Sequence, residues 1–95
     1  MDRNALMAKR EAILQLARRR GARKVSVFGS LARGDAGALS DADFLVEFDP
    51  GRSLLDQGGL AMDLEELLGC KVDVVSDRGL RPRFRDRVHR EAVPL

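Results

Sequence analysis

Residues 28–48 read FGSLARGDAGALSDADFLVEF, and this stretch decides the fold that we expect. An apolar run ends at Gly29 and Ser30, and ten residues then separate Ser30 from Asp41. Asp41 and Asp43 open a second apolar run, FLVEF. A solvated acidic loop between two strands is one interpretation of this pattern. The other is a phosphate-binding turn followed by a pair of metal-binding carboxylates.

Apolar periodicity predicts two long helices on either side of this stretch. Leucine, isoleucine and alanine side chains share one face over 3–20, which predicts the first helix. Ser53 is a candidate N-cap of the second helix, and Gly69 is its candidate end. Gly58 and Gly59 weaken the first half of this helix, which leaves a kink or a late start open.

Short apolar runs bounded by turn residues predict three strands. We expect strands at 25–28, 44–48 and 70–76, a loop at 34–40 and a last helix at 82–92. Helices and strands in this order predict the α/β (α+β) class, with a small sheet covered by helices.

Composition limits the classes of protein that this chain can belong to. The 95 residues are 44% hydrophobic, as in a globular chain, and we expect a single domain, 1–95. The 17 basic and 15 acidic side chains leave a net charge of only +2, which argues against a dedicated DNA-binding domain. Cys70 is the one cysteine, so it can build neither a disulfide framework nor a zinc site, and we expect it to be buried. Without a membrane-length apolar run or a signal peptide, we expect a cytoplasmic protein.

Three aspartates could form a metal site. Side chains at i and i+2 of a strand project to the same face, so Asp41 and Asp43 point the same way. Asp73 lies among valines in the third strand, where an unpaired carboxylate would be costly. If the second and third strands are neighbours, the three carboxylates could hold two Mg²⁺ ions, the arrangement that clamps both oxygens of a phosphoryl displacement.

The glycine-serine turn could bind the phosphates. Gly29 ends a strand and leads into a helical turn, which would direct free backbone N–H groups at an anion. The Ser30 hydroxyl could donate to a phosphate oxygen, and Arg33 could reach the same phosphates.

This pattern resembles the nucleotidyltransferase superfamily that includes DNA polymerase beta, kanamycin nucleotidyltransferase and poly(A) polymerase. The resemblance rests on GSLARGDAGALSDADFLVEF, and the words LLGCKVDVVS and HREAVPL are similar to its smallest branch, the minimal nucleotidyltransferases. It implies a small mixed sheet flanked by helices, like the polymerase beta palm. It also implies transfer of a nucleoside monophosphate from a nucleoside triphosphate to a hydroxyl, with release of pyrophosphate.

The resemblance also implies roles for single residues. Gly29 and Ser30 match the turn that contacts phosphate. Asp41 and Asp43 match two metal-binding carboxylates, and Asp73 matches a third that helps to deprotonate the attacking hydroxyl. Arg33 and Asp35 match positions with less fixed roles. The implied substrate is ATP, and the implied partner is a helical HEPN-type toxin, which members of this branch adenylylate on a tyrosine.

Other interpretations of these residues stay open. Asp41 and Asp43 could cap a helix or a turn, and Asp73 could be paired with an arginine. Arg33 could be a surface ion pair, and Asp35 suits a loop. His89 is expected at the surface. The arginines of 81–90 suit a solvated face, or else a basic face for an acidic partner or RNA.

Three functional hypotheses follow. We favour an Mg²⁺-dependent nucleotidyltransferase that modifies a partner protein, because 95 residues leave no room for a second-substrate domain. A contact-only antitoxin with an inactive site is the second hypothesis. A protein directed at RNA through the last helix is the third.

Overall fold

The computed structural model describes residues 1–34 and 41–95, and its elements alternate between helices and strands. In chain order they are α1 (Arg3–Ala8), α2 (Arg10–Arg19), β1 (Ala22–Phe28), α3 (Gly29–Arg33), β2 (Ala42–Phe48), α4 (Leu54–Leu68), β3 (Val72–Ser76), a 3₁₀ turn (Asp77–Gly79), α5 (Pro82–Glu91) and β4 (Val93–Pro94). The loop expected at 34–40 lies outside the described residues from 35 onward, and Asp35 with it.

The four strands form one mixed sheet in the order β3-β2-β1-β4. Strand β1 is antiparallel to both β2 and β4, whereas β3 is parallel to β2. Asp43 of β2 is opposite Phe28 on one side and opposite Asp73 on the other. The expected small mixed sheet with flanking helices is confirmed, and its register brings two of the predicted aspartates together.

One face of the sheet carries the hydrophobic core. Alternate strand residues such as Val27 and Phe44 are fully buried against helices on this face. The helices contribute Leu6 and Ile13 from α1 and α2, and a leucine stripe from α4 that includes Leu64. Burial of side chains of this size stabilises the fold by about 1.5–3 kcal/mol each.

Cys70 differs from its expected state. It is half-buried and packs against the edge of the core rather than inside it. Its position directly after the C-cap of α4 explains this, because the chain is then still crossing from the helix to β3.

The predicted first helix is wrong in one respect, because two helices occupy its range. Lys9 separates α1 from α2 with φ −104° and ψ 14°, and its backbone N–H turns back to the carbonyl of Leu6 at 3.0 Å. The Lys9 ammonium group bonds to the carbonyl of Leu67 at 3.1 Å. The core face nevertheless continues through the break, since Leu6 and Ile13 are both buried.

Helix α4 begins and ends where the sequence predicts. The Ser53 side chain accepts from a backbone N–H of the first turn and Asp56 bonds back to the Ser53 N–H, which forms a capping box. Gly69 ends the helix in the left-handed conformation, with φ +69°. At 15 residues α4 is the longest described helix. None of the helices in 1–34 and 41–95 combines the length and the apolar character needed to cross a membrane.

The glycine pair in α4 causes neither a kink nor a late start. Apart from the neighbouring helix backbone, nothing in residues 1–34 or 41–95 lies within 4 Å of the ideal Cβ position of Gly58. The Arg20 guanidinium, by contrast, lies where a side chain on Gly59 would be, 2.5 Å from the ideal Cβ position. Arg20 crosses the helix there to reach Asp63, with Nε 2.9 Å from Oδ2. Gly59 therefore makes room for an ion pair between α4 and the end of α2.

Side chains of α4 bond to the outer edge of the sheet. The Gln57 amide donates to the Val74 carbonyl at 2.8 Å, and the Val72 N–H donates to Glu65 at 3.4 Å. Both backbone groups lie on the side of β3 that has no neighbouring strand. The helix therefore satisfies edge groups that would otherwise be free for another strand.

Two features at the C-terminal end were not predicted. After α5, the two-residue strand β4 pairs with β1, although Pro94 is a poor strand former. Asp77 also binds two side chains of α5, since Arg85 lies 3.2 Å from it and His89 lies 2.6 Å from it. Both contacts hold α5 against the chain that follows β3, although α5 buries none of its own side chains.

The adjacent glycines of α4 provide a matched stability test. Gly58→Ala should raise the free energy of unfolding by about 0.5–1 kcal/mol, because alanine is the better residue in an exposed helix. Gly59→Ala should give a smaller gain, because it displaces Arg20 from Asp63. Urea unfolding of both variants, alone and with Arg20→Ala, measures the difference. Equal gains from the two substitutions in the presence of Arg20 would contradict this account.

Candidate active site

Asp43 and Asp73 lie side by side on neighbouring strands. Their parallel register places them directly opposite one another, and Asp73 is close enough to raise the pKa of the Asp43 carboxyl. Adjacent strands are about 4.8 Å apart, so side chains that leave the same face at the same level must meet. Side chains alternate between the two faces along β2, so Asp43 and Asp73 form a carboxylate pair on the face opposite the core.

Asp43 is held where its charge is unfavourable. Burial raises the pKa of Asp43, and the neighbouring charges of Asp73 and Asp41 raise it further. The positive charge of Arg33 opposes this and lowers the Asp43 pKa, but less than the other causes raise it. Two carboxylates at this distance repel each other unless a proton or a cation lies between them.

Asp41 is near the pair but not part of it. It precedes β2 and is exposed, and its charge still acts on Asp43. Within residues 1–34 and 41–95, no three acidic, histidine or cysteine side chains are close enough together to form a metal-binding group. The donor chemistry of Asp43 and Asp73 nevertheless fits Mg²⁺, which prefers carboxylate oxygens and keeps positions for water and phosphate.

The expectation that the Asp73 carboxylate would be costly among the valines of its strand is wrong. Asp73 is exposed, although Val72 before it is buried. Strand β3 is at the edge of the sheet and Asp73 leaves it on the face away from the core, so water reaches the carboxylate.

Gly29 lies against the carboxylate pair. Its φ is +72°, in the left-handed region that glycine tolerates. A Cβ at Gly29 would be 2.5 Å from Oδ2 of Asp43. Both the backbone angle and the close approach therefore require glycine, and the turn from β1 into α3 is fixed next to the acids.

Ser30 and Arg33 follow on the five-residue helix α3. The half-buried Ser30 hydroxyl makes no hydrogen bond with residues 1–34 or 41–95, so within that part of the chain it is available to a ligand. Arg33 is exposed, and its Nη1 lies 3.4 Å from Oε2 of Glu91 in α5. The structure thus brings Gly29 and Arg33 to the same side of the sheet as Asp43.

Two interactions of helix α5 were missed by sequence reasoning. Glu91 is 58 residues from its partner Arg33, and no local pattern indicates such a pair. His89 was expected at the surface, and it is exposed, yet it pairs with Asp77. That pair lines a cavity of about 390 Å³ that Ser26 and Leu45 also line, and none of the six predicted site residues lines it.

Comparison with known families matches residues 9–94 to the nucleotidyltransferase domain. "Putative protein adenylyltransferase MJ0435" of Methanocaldococcus jannaschii is 42% identical over 83 residues, which are 87% of this chain and 89% of that protein. "Protein adenylyltransferase MntA" of Thermococcus cleftensis is 43% identical over 79 residues, 83% of this chain and 80% of that protein. The matches to these relatives cover most of both chains.

Solved structures show the same fold. "Structure of putative minimal nucleotidyltransferase" superimposes with a TM-score of 0.90 and 57% identity, over 100% of this chain and 97% of that one. "Crystal structure of the toxin-antitoxin with AMP-PNP" has a TM-score of 0.77 at 22% identity, over 99% and 72% of the two chains. A tri-AMPylated Shewanella oneidensis HEPN toxin in complex with MNT antitoxin gives 0.72 at 20% identity, over 93% and 69%.

Two glycines with similar positive φ angles separate strain from contact with the site. Beyond its chain neighbours, no atom of residues 1–34 or 41–95 lies within 4 Å of the ideal Cβ position of Gly34, at φ +78°, whereas Gly29 meets Asp43. Both alanine variants should lose about 1–2 kcal/mol of stability from the left-handed conformation. Only Gly29→Ala should lose further stability and also Mg²⁺-dependent stabilisation, because it displaces the Asp43 carboxylate. Thermal unfolding with and without Mg²⁺ measures both, and equal behaviour of the two variants would contradict the contact.

Asp43→Asn should stabilise the metal-free protein at neutral pH. An acid whose folded pKa is raised favours folding most below its unfolded pKa, about 3.9, and that contribution is lost as pH rises through the folded pKa. Asparagine lacks this loss, so the variant should melt above the wild type at pH 7 in chelator and approach it near pH 3. Asp49→Asn, at an exposed turn position, is the control. A lower melting temperature for Asp43→Asn at pH 7 would contradict the repulsion.

Proposed function

Because the chain belongs to the nucleotidyltransferase domain family, we propose that it transfers AMP from ATP to a hydroxyl group of a partner protein. The observation that carries this proposal is the register that sets Asp43 opposite Asp73, with Gly29 directly beside Asp43. A turn that lets phosphate approach and a carboxylate pair that attracts a cation are the two parts that phosphoryl transfer needs.

The α3 side of the site would bind the phosphates. Gly29 lets a phosphate approach the backbone closely, and the Ser30 hydroxyl would donate to a phosphate oxygen. Arg33 would bind the same group through its guanidinium, which suits phosphate geometry. These residues would hold the pyrophosphate part of ATP, which leaves as the bond from the α-phosphorus to the bridging oxygen breaks.

The carboxylates would form the metal side of the site. We assign Mg²⁺, as two ions, to Asp41, Asp43 and Asp73. When bound, the ions would supply positive charge at the reacting phosphate oxygens. Asp73 is exposed, so an acceptor hydroxyl can reach it, and it would help to remove the hydroxyl proton as that oxygen bonds to the α-phosphorus.

The relatives support AMP as the group and a protein as the acceptor. Two relatives that are 42% and 43% identical to this chain are named as protein adenylyltransferases. Among the structures that share the fold, one holds AMP-PNP and another includes an AMPylated HEPN toxin. We therefore propose a HEPN-family protein as the partner and the modification of its hydroxyl as the means of neutralising it.

Label transfer tests the proposal. The chain is incubated with α-labelled ATP and Mg²⁺, alone and with a HEPN-family protein from the same genome. We expect label on the HEPN protein, and we expect Asp41→Asn and Asp43→Asn to reduce it by at least tenfold, since each removes a ligand charge. Asp49→Asn makes the same change in charge at an exposed residue outside the site, and this variant should transfer label normally.

Three results would overturn the proposal. Label that survives chelator and both site variants would exclude a role for the carboxylates in transfer. A stable complex without label, after GTP, CTP and UTP have been tried as well, would favour a contact-only antitoxin. RNA that carries the label in place of the protein would favour the RNA-directed activity.

A further inference from the structure

Arg33 acts on two acidic groups. Its Nη1 is 3.4 Å from Oε2 of Glu91 in the last helix. It also stands on the five-residue helix α3, which begins at Gly29 directly against Asp43. From there its positive charge lowers the pKa of the Asp43 carboxyl, so the guanidinium is attracted both to the last helix and to the carboxylate pair.

Glu91 has a second ion-pair partner, and its helix is fixed to neighbouring segments. Its second oxygen, Oε1, is 3.7 Å from Nε of Arg87, one turn earlier in α5. Helix α5 is fixed to the chain after β3 by the contacts of Arg85 and His89 with Asp77. Strand β4 follows α5 closely and pairs with β1, so the C-terminal end of the helix, where Glu91 lies, is also tied to the sheet.

A cation next to a metal site competes with the metal. The attraction between Arg33 and Asp43 is screened less than a surface pair, because Asp43 is half-buried. If the guanidinium moved fully onto Asp43 and Asp73, it would occupy the oxygens that Mg²⁺ needs. The ion pair between Arg33 and Glu91 opposes this movement.

We propose that Glu91 is a positioning residue that holds the Arg33 guanidinium away from the Asp43–Asp73 pair and so keeps these carboxylates open to Mg²⁺. This role rests on the proposed function, because it takes the pair as the metal site. It adds to that function a residue of the last helix that acts only through Arg33.

Mg²⁺ affinity measures the role without requiring catalysis. Glu91→Gln should weaken Mg²⁺ binding about two- to fivefold, the size expected for an exposed ion pair. Calorimetric titration of the full chain with Mg²⁺ and the Mg²⁺ dependence of its melting temperature both report the affinity. In an Arg33→Gln background the same substitution should have no further effect, because the competing guanidinium is gone.

A second variant on the same helix serves as the control for the change in net charge. Asp86→Asn makes the same change in charge on α5, and the exposed Asp86 has no partner in residues 1–34 and 41–95. It should leave Mg²⁺ affinity within twofold of the wild type. Glu91→Asp retains the carboxylate and should restore part of the loss.

The outcomes separate this inference from the proposed function. Unchanged Mg²⁺ affinity in Glu91→Gln overturns the positioning role, as does an equal loss with Arg33→Gln or in Asp86→Asn. A wild-type chain that does not bind Mg²⁺ overturns it as well. If Mg²⁺ binding shifts as expected but no AMP is transferred, the proposed reaction fails and the positioning role stands. If AMP is transferred but Glu91→Gln leaves Mg²⁺ affinity unchanged, the positioning role fails and the proposed reaction stands.

Discussion

Asp43 and Asp73 lie side by side because β2 and β3 run parallel and in register, and the rest of the site is arranged around this pair. Like charges at this distance are unfavourable, and Asp43 is half-buried as well. The turn at Gly29 comes so close to Asp43 that any side chain there would collide with it. The fold therefore holds two carboxylates together in an arrangement that is unfavourable without a cation and that suits the binding of one.

The two faces of the sheet divide stability from chemistry. The core face carries apolar side chains such as Val27 of β1 and Phe44 of β2, and helices cover it. The opposite face carries the carboxylates at one end, and at the other end Leu45 is buried near the segment that follows β3. Because strand side chains alternate, a single strand such as β2 supplies both faces, and a register shift of one residue would exchange them.

Local patterns were predictable, and long-range pairs were not. The cap at Ser53 depends on neighbours in sequence, and the structure confirms it. The break at Lys9 was hidden because the apolar face continues across it. The exposure of Asp73 depends on its strand being at the sheet edge, which its sequence does not indicate. The contact of Arg33 with Glu91 joins residues 58 apart, which no motif encodes. The metal-binding roles themselves stay predictions.

The protected edge of β3 has a consequence for how other molecules approach the sheet. Gln57 and Glu65 already bond to the outward backbone groups of Val74 and Val72. A second copy that tried to extend the sheet there would first have to break both bonds, so edge-to-edge polymerisation is disfavoured. A partner can still reach the carboxylates from the face of the sheet opposite the core. Recognition then depends on side chains, which differ between partners, rather than on the backbone ladder, which any extended chain could form.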